Sequence, residues 1–199
     1  MPKRVFVDAN VLVSRTLRDW VCLLRAEIPW MFQLHTTEDV LAETIATLRA
    51  LHPQRDGGAT TRLRAAILGS IDELVADFPG DVPWSGTDPK DRHVHAPALS
   101  ARAEVLLTED RGFHALDDLP YEVMCCDHFF VLVDDTLPWG VRATVRRMNG
   151  YWASRPGPHA GLVTALVRAG CPAFALRVAD HLRADDGVPG GRSDVVVID

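Results

Sequence analysis

The sequence is short of the features that mark several common protein classes. It has only four cysteines among 199 residues, and they form no C-x-x-C pair and no spacing typical of metal ligands. No apolar run approaches the length of a transmembrane helix, and the opening residues, Met1 to Arg4, do not resemble a signal peptide. We therefore expect a soluble, cytoplasmic protein, not associated with a membrane, whose cysteines are reduced.

The chain also lacks an excess of positive charge. Its formal net charge is −6, which argues against binding of nucleic acid by bulk positive charge. A polyanionic partner would have to be met by a local basic patch. Hydrophobic residues make up 47% of the chain and charged residues 24%, which is enough apolar sequence for one globular domain and an addition.

Two apolar strands are predicted to end in polar side chains. The run Val5–Val7 stops at Asp8 and Asn10, and the run Val105–Leu107 stops at Thr108, Glu109 and Asp110. In a parallel sheet the carboxyl ends of the strands share one edge, where ligands bind. Such residues also form ordinary turns, so either run alone leaves both interpretations open.

The remaining sequence predicts further strands and helices in alternation. We expect a helix from Ser14 to Arg25, a strand over 31–35, a helix opened by Thr36 and Thr37, a helix from Thr60 to Asp77, and a last strand over 121–127 followed by a helix.

Asp88, Pro89 and Asp91 are typical of a helix start, with Asp88 as the N-cap and proline in the first turn. Asp91 then has two interpretations. It is either a capping-box acid that reaches back to the amide of the cap, or a carboxylate that binds a cation at the mouth of a buried helix. Glu43, on the earlier helix, is either a solvated helix acid or part of the same site.

Four acids can converge on one rim of the sheet. They are Asp8, Glu43, Asp91 and Asp110. Carboxylates that lie close together disfavour one another's ionised form unless cations neutralise them. Ligation by oxygen alone favours Mg²⁺ or Mn²⁺ over zinc. Such a site activates water and offsets charge on a phosphate, which is the chemistry of phosphodiester cleavage.

The chain resembles PIN-domain ribonucleases, the fold of the VapC-type toxins of toxin–antitoxin pairs. Four segments carry the resemblance, in family order and over roughly residues 1 to 130: F-V-D-A-N-V-L, E-D-V-L-A-E-T, D-P-K-D-R-H-V-H-A-P-A-L and L-L-T-E-D-R-G-F. No single segment is specific for this family, but the four segments together, with their spacing, are.

The resemblance implies an α/β fold in three layers, with a central parallel sheet of four or five strands and helices on both faces, to which this sequence adds C-terminal helices. It implies a Mg²⁺- or Mn²⁺-dependent endoribonuclease, a cognate antitoxin protein as partner, and a homodimer. Asp8, Glu43, Asp91 and Asp110 would be the catalytic, metal-binding acids. Asn10, Thr108 and Asp88 would support them, and Glu109 is an extra acid beside the pattern.

The departure from the family is the C-terminal third. We expect a PIN-like nuclease domain over 1–133, a helical extension over 134–184 and a flexible tail over 185–199. Arg142, Arg146 and Arg147 lie at helical spacing, and we hypothesise that they contact RNA phosphates. A solvated helix face is the alternative.

Two other functions remain open on the residues. One is a non-catalytic PIN domain that binds RNA or protein and keeps the acids as fold elements. The other is a phosphohydrolase of small phosphoesters with Asp8 as nucleophile, which is disfavoured because Asn10 stands where such enzymes have a second acid. His93 and His95 flank Asp91, but alternate positions on a helix point in different directions, which argues against a shared metal site.

Overall fold

A computed structural model describes residues 2–155 and 160–185. Five parallel strands form one sheet in the order β3-β2-β1-β4-β5, flanked by helices. This confirms the predicted α/β class and the parallel sheet, with five strands. Within the described ranges no helix is long and apolar enough to cross a bilayer.

The elements follow in chain order: β1 Lys3–Val7, α1 Ala9–Val13, α2 Arg15–Glu27, β2 Phe32–Thr36, α3 Glu38–Leu51, α4 Gly57–Leu68, β3 Glu73–Leu74, a 3₁₀ turn Pro89–Asp91, α5 Arg92–Ser100, β4 Val105–Leu107, α6 Arg111–His114, β5 Glu122–Met124, α7 Cys126–Thr136, α8 Pro138–Ala153, α9 Leu162–Arg168 and α10 Pro172–Asp185.

Local signals account for most of these boundaries. Ser14 is the N-cap of α2, as predicted, and its hydroxyl accepts a hydrogen bond from Leu17 N at 3.4 Å. Thr37 caps α3 by accepting from Val40 N at 3.1 Å. The short helix α1, with Asp8 at its N-cap position, was not predicted.

The helix predicted from Thr60 to Asp77 is wrong in its second half. The chain leaves the helix at Leu68, and Glu73 and Leu74 form the edge strand β3 beside β2. Gly69 follows the last helical residue, and glycine has a low helix propensity. Ile71 and Leu74 match the helical spacing of the preceding residues, and this led to the wrong prediction. Two apolar residues are too few to distinguish the end of a helix from a short strand.

The C-terminal helices share the core of the sheet domain. Trp20 of α2 is fully buried and lies edge-on to Phe174 of α10, with ring centroids 4.9 Å apart. Gly140 of α8 packs so closely on Ile28 that a Cβ placed on it would lie 2.6 Å from Ile28 Cγ2. The boundary expected after residue 133 falls inside α7. The expected tail, apart from Asp185 at the end of α10, lies outside the described residues.

Candidate active site

The strand order places a topological switch point between β1 and β4. The chain moves from β1 to β2 and β3 on one side, then crosses to β4 on the other side. Ligands of open α/β sheets bind beyond the carboxyl ends of the strands at such a point. Asp8 directly follows β1 and Thr108 directly follows β4, so the two predicted polar strand ends meet at the switch point.

Asp8 is held there by three hydrogen bonds. Its Oδ1 accepts from Ala9 N at 2.6 Å, and its Oδ2 accepts from Asn10 Nδ2 at 2.7 Å and Thr108 Oγ1 at 2.6 Å. A carboxylate has about four acceptor sites. Three are occupied, so the buried Asp8 carboxylate keeps about one site for another partner.

Asn10 and Thr108 connect Asp8 to the loop after β4. Thr108 Oγ1 accepts from Asn10 Nδ2 at 2.9 Å and from Asp110 N at 3.0 Å, which uses the full capacity of its hydroxyl. Asn10 Oδ1 accepts from Glu109 N at 3.0 Å. The structure thus places Asn10 and Thr108 where they orient both Asp8 and the backbone that carries Asp110.

Asp110 and Asp91 lie together beside α6. Asp110 caps α6 by accepting from Gly112 N at 2.7 Å. A Cβ placed on Gly112 would lie 3.2 Å from Asp110 Oδ1 and 3.8 Å from Asp91 Oδ2. The absence of a side chain at Gly112 therefore leaves room for both carboxylates.

Asp91 does not act as a capping-box acid. Among the hydrogen bonds of the described residues, none joins the Asp88 amide to the Asp91 carboxylate, and the Asp91 side chain makes no cap bond to the start of α5 either. Asp88 caps the 3₁₀ turn by accepting from Lys90 N at 2.9 Å. Burial is the largest cause that raises the pKa of Asp91, and together with the negative charges of Asp110, Asp88 and Asp8 it brings that pKa to about 6. Burial also raises the pKa of Asp8, with a smaller contribution from Glu43, against the lowering effect of its hydrogen bond from Thr108.

Glu43 reaches the site from α3 through a histidine. Its Oε2 lies 2.9 Å from His93 Nε2, and His93 Nδ1 lies 2.5 Å from the carbonyl oxygen of Lys90. Burial lowers the pKa of His93, but its hydrogen bonds to the Lys90 carbonyl oxygen and to Glu43 raise that pKa overall, which favours an ion pair. The contact between His93 and Glu43 was not predicted, because no local pattern links residues 50 positions apart.

His95 does not contact the same partners as His93, in agreement with the prediction that alternate residues of a helix point in different directions. Its Nδ1 lies 2.6 Å from Tyr121 Oη in a buried contact. The extra acid Glu109 also has a structural partner, since its Oε1 accepts from Cys126 N at 2.8 Å, at the start of α7.

Two of the three arginines considered for RNA binding contact one acid. Arg142 Nε lies 2.9 Å from Asp185 Oδ1, and Arg146 Nε lies 2.7 Å from Asp185 Oδ2. Asp185 offsets part of their positive charge. The basic side chains adjacent in sequence to the acids of the site are instead exposed: Lys90, Arg92 and Arg111.

The oxygen donors at this edge fit a hard divalent cation in their chemistry. Crowded carboxylates with raised pKa values favour a bound cation, because it stabilises their ionised forms. In their present rotamers, however, no three His, Cys, Asp or Glu side chains within residues 2–155 and 160–185 are grouped closely enough to hold a metal ion. The side chains would have to rearrange around an ion.

Comparison with protein families identifies the family of this fold. The chain matches the PIN domain family over residues 4–112, more than half of its length, and it belongs to that family. PIN domains are generally nucleases, typically with divalent metals, and the membership indicates a nuclease-type function. Comparison with curated proteins gave no match, and comparison with solved structures gave none.

Proposed function

We propose that the chain is a Mg²⁺- or Mn²⁺-dependent endoribonuclease that cleaves RNA phosphodiester bonds. The observation that carries the proposal is the position of Asp8, Asp91 and Asp110 around the switch point of the sheet, where burial and the charges of neighbouring acids raise the pKa of Asp91 to about 6. An array of carboxylates that repel one another is costly unless it serves to bind a cation.

Asp8, Asp91, Asp110 and Glu43 would hold the cation. When bound, it would supply a water of lowered pKa and stabilise negative charge on the phosphate. Asn10 and Thr108 keep Asp8 at the carboxyl end of β1 through their hydrogen bonds. His93 fixes the direction of Glu43, and Asp88 holds the turn that presents Asp91.

The first experiment is cleavage of RNA by the purified chain with Mn²⁺ or Mg²⁺. We expect cleavage that EDTA abolishes. Asp91→Asn should lower the rate by on the order of a hundredfold or more, because metal stabilisation of the transition state contributes several kcal/mol. Asp135→Asn is the matched control, since Asp135 is 52% exposed on α7 and pairs with Arg177. Unchanged cleavage by a folded Asp91→Asn variant would contradict the assignment.

The alternative is a PIN domain that binds RNA or protein without catalysis. It is favoured by the finding that no three candidate ligands in the described residues are grouped to hold a metal as they stand. It predicts RNA binding with no cleavage at any Mg²⁺ or Mn²⁺ concentration. The same purified protein therefore separates the two functions.

We further propose that this nuclease is the cytoplasmic toxin of a toxin–antitoxin pair, a homodimer whose activity a cognate antitoxin protein blocks. The support is the order and spacing of the acid-bearing segments. Induced expression in a bacterial host should arrest growth, and Asp8→Asn should relieve the arrest at equal protein level. Normal growth with the unchanged chain would contradict the toxin role, and a single-chain mass in light scattering would contradict the dimer.

The proposed contact of Arg142, Arg146 and Arg147 with RNA phosphates stays a hypothesis. Its support is the helical spacing of the three residues, and the pairing of Arg142 and Arg146 with Asp185 weighs against it. Reversal of the three charges should weaken RNA binding if the hypothesis holds. Equal affinity and cleavage after reversal would exclude it.

A further inference from the structure

A pocket of about 390 Å³ lies beside α5, away from the acids. One wall is the segment 82–85 that precedes the 3₁₀ turn, another is the segment 118–120 that precedes β5, and His95 and Leu99 of α5 form the third. Pockets for small ligands have volumes from ~300 Å³ upwards. The pocket is therefore large enough for a planar ring.

The walls are mostly apolar, and Trp84 is held in place. The Trp84 ring lies 4.9 Å from that of His95 and 5.1 Å from that of Phe113, and Trp84 Nε1 donates to the carbonyl oxygen of Asp88 at 2.7 Å. Burial lowers the pKa of His95, which favours a neutral ring. His95 and Phe113 are buried, whereas Trp84 is half-buried and lines the pocket, so its accessible part can stack on a nucleobase.

Asp118 is the one acid that lines this pocket. Its backbone has φ +61°, a conformation that Asp and Asn tolerate better than other side chains. Across the described ranges, no residue donates a hydrogen bond to its carboxylate. An ionised carboxylate only accepts, and guanine is the base whose Watson–Crick edge presents two adjacent donors, N1–H and the 2-amino group.

The pocket and the acids lie along the same helix. Asp91 directly precedes α5, and His95 and Leu99 follow at roughly 6 Å and 12 Å along the axis at ~1.5 Å per residue. Lys90 and Arg92 flank Asp91, are exposed, and form no ion pair in the part of the chain that the structure describes. They can meet the phosphates of a strand that reaches both places.

We propose that this pocket binds a guanine base of single-stranded RNA, with Asp118 on its Watson–Crick edge, and so selects the sequence presented to the acids. Its role in choosing the cleavage site rests on the proposed function. The binding of the base itself does not require cleavage, so the two can be tested apart.

The test measures binding without cleavage. The full chain carrying Asp91→Asn is titrated in EDTA against three fluorescently labelled uridine oligonucleotides, with guanosine, inosine or adenosine at one central position. We expect about tenfold tighter binding of the guanosine oligonucleotide than of the adenosine one, the size of a good bidentate base contact. Inosine lacks the 2-amino group and should lie between them.

Asp118→Asn is the deciding variant, because Asn tolerates positive φ and adds no bulk. It should bring the guanosine preference to within about twofold, since it removes one of the two acceptors. Asp117→Asn is the matched control, since Asp117 is exposed and does not line the pocket, and it should keep the full preference.

Three outcomes decide the matter. A guanosine preference lost only in Asp118→Asn supports the inference, even if the unchanged chain cleaves no RNA and the proposed function fails. Equal binding of the three oligonucleotides overturns it, even if the chain proves to be a nuclease. A preference that survives Asp118→Asn also overturns it, because the base would then be read elsewhere.

Discussion

Carboxylates occur in two contrasting settings in this molecule. At the switch point of the sheet, Asp8, Asp91 and Asp110 lie near one another, and the pKa of Asp91 is raised to about 6 by burial and by its acidic neighbours. In the C-terminal helices each buried or half-buried acid has a positive or amide partner. Asp127 receives two amides of α10, Asp134 pairs with His181 and Arg177, and Asp185 pairs with Arg142 and Arg146.

Under the proposed function, this difference separates acids that would bind a cation from acids that stabilise the fold. Hydrogen-bond donors to a carboxylate lower the energy of the folded chain, and neighbouring carboxylates raise it. Asp8 and Asp110 also have donors, so the settings differ most clearly at Asp91, whose pKa burial and acidic neighbours raise. Both kinds are aspartates near helix ends, so residue type and local pattern do not distinguish them. Their neighbours in space do, and the following substitutions test that distinction.

The largest expected effect is on activity. Asp110→Asn should reduce Mn²⁺-dependent RNA cleavage by on the order of a hundredfold or more, because it removes a proposed ligand of the cation. Asp185→Asn, an acid-to-amide change in the other setting, should leave cleavage within about twofold, since a surface pair contributes little. Equal losses in the two variants would show that the settings do not differ in function.

The next effect is on stability. The Asp127 carboxylate accepts from Ala173 N at 3.1 Å and Phe174 N at 2.8 Å, so α7 supplies the N-terminal cap of α10. Asp127→Ala should lower the free energy of unfolding in urea by about 1–2 kcal/mol, the usual cost of a lost cap. Asp135→Ala on the same helix should cost close to nothing, because its ion pair is exposed. Equal costs would argue against the capping role.

For Asp91, at the switch point of the sheet, we expect the opposite effect on stability: its removal should stabilise the folded protein. The folded chain holds the Asp91 proton up to a pKa of about 6, against an ordinary value of 3.8. Folding therefore binds a proton between these values, and stability falls as pH rises from about 4 to about 6. Asp91→Asn should stabilise the metal-free protein at pH 7.5 by on the order of 1 kcal/mol, after solvent screening.

The stabilisation by Asp91→Asn should disappear near pH 4, because the Asp91 carboxyl of the wild-type protein is itself protonated there in the folded state. Thermal unfolding in EDTA at both pH values measures this difference. A loss of stability at pH 7.5 would show that Asp91 is a stabilising acid like those of the C-terminal helices.

The smallest effect belongs to Asp185. The hydrogen bonds from Arg146 and Arg142 lower its pKa from 3.8 to about 2. Its contribution to stability is complete above about pH 4 and is lost as pH falls towards about 2. In urea unfolding, Asp185→Asn should therefore differ slightly from wild type at pH 6 and not at pH 2. A difference that persists at pH 2 would have another cause.

Local patterns predicted the parts of the fold that depend on neighbouring residues. The strand ends at Asp8 and Thr108 and the cap at Ser14 follow from short runs of sequence. The edge strand Glu73–Leu74 did not follow, because two residues carry too little periodicity to distinguish strand from helix.

The site was predictable in its residue types and not in its contacts. The pairing of Val7 with Leu107 brings Asp8 and Thr108 together, and register across 100 residues cannot be read from one sequence. The contact of His93 with Glu43 and the pairing of two arginines with Asp185 have the same long-range origin. The roles of the acids as metal ligands remain predictions.

The packing of Trp20 on Phe174 sets a limit on how the chain can be shortened. The family match ends at residue 112, yet Trp20 is covered by a residue 62 positions further along. A fragment cut after residue 133 would expose that indole and its apolar surroundings to water, and we expect it to aggregate. Moving the domain that carries Asp8, Asp91 and Asp110 into another protein would therefore require the C-terminal helices as well.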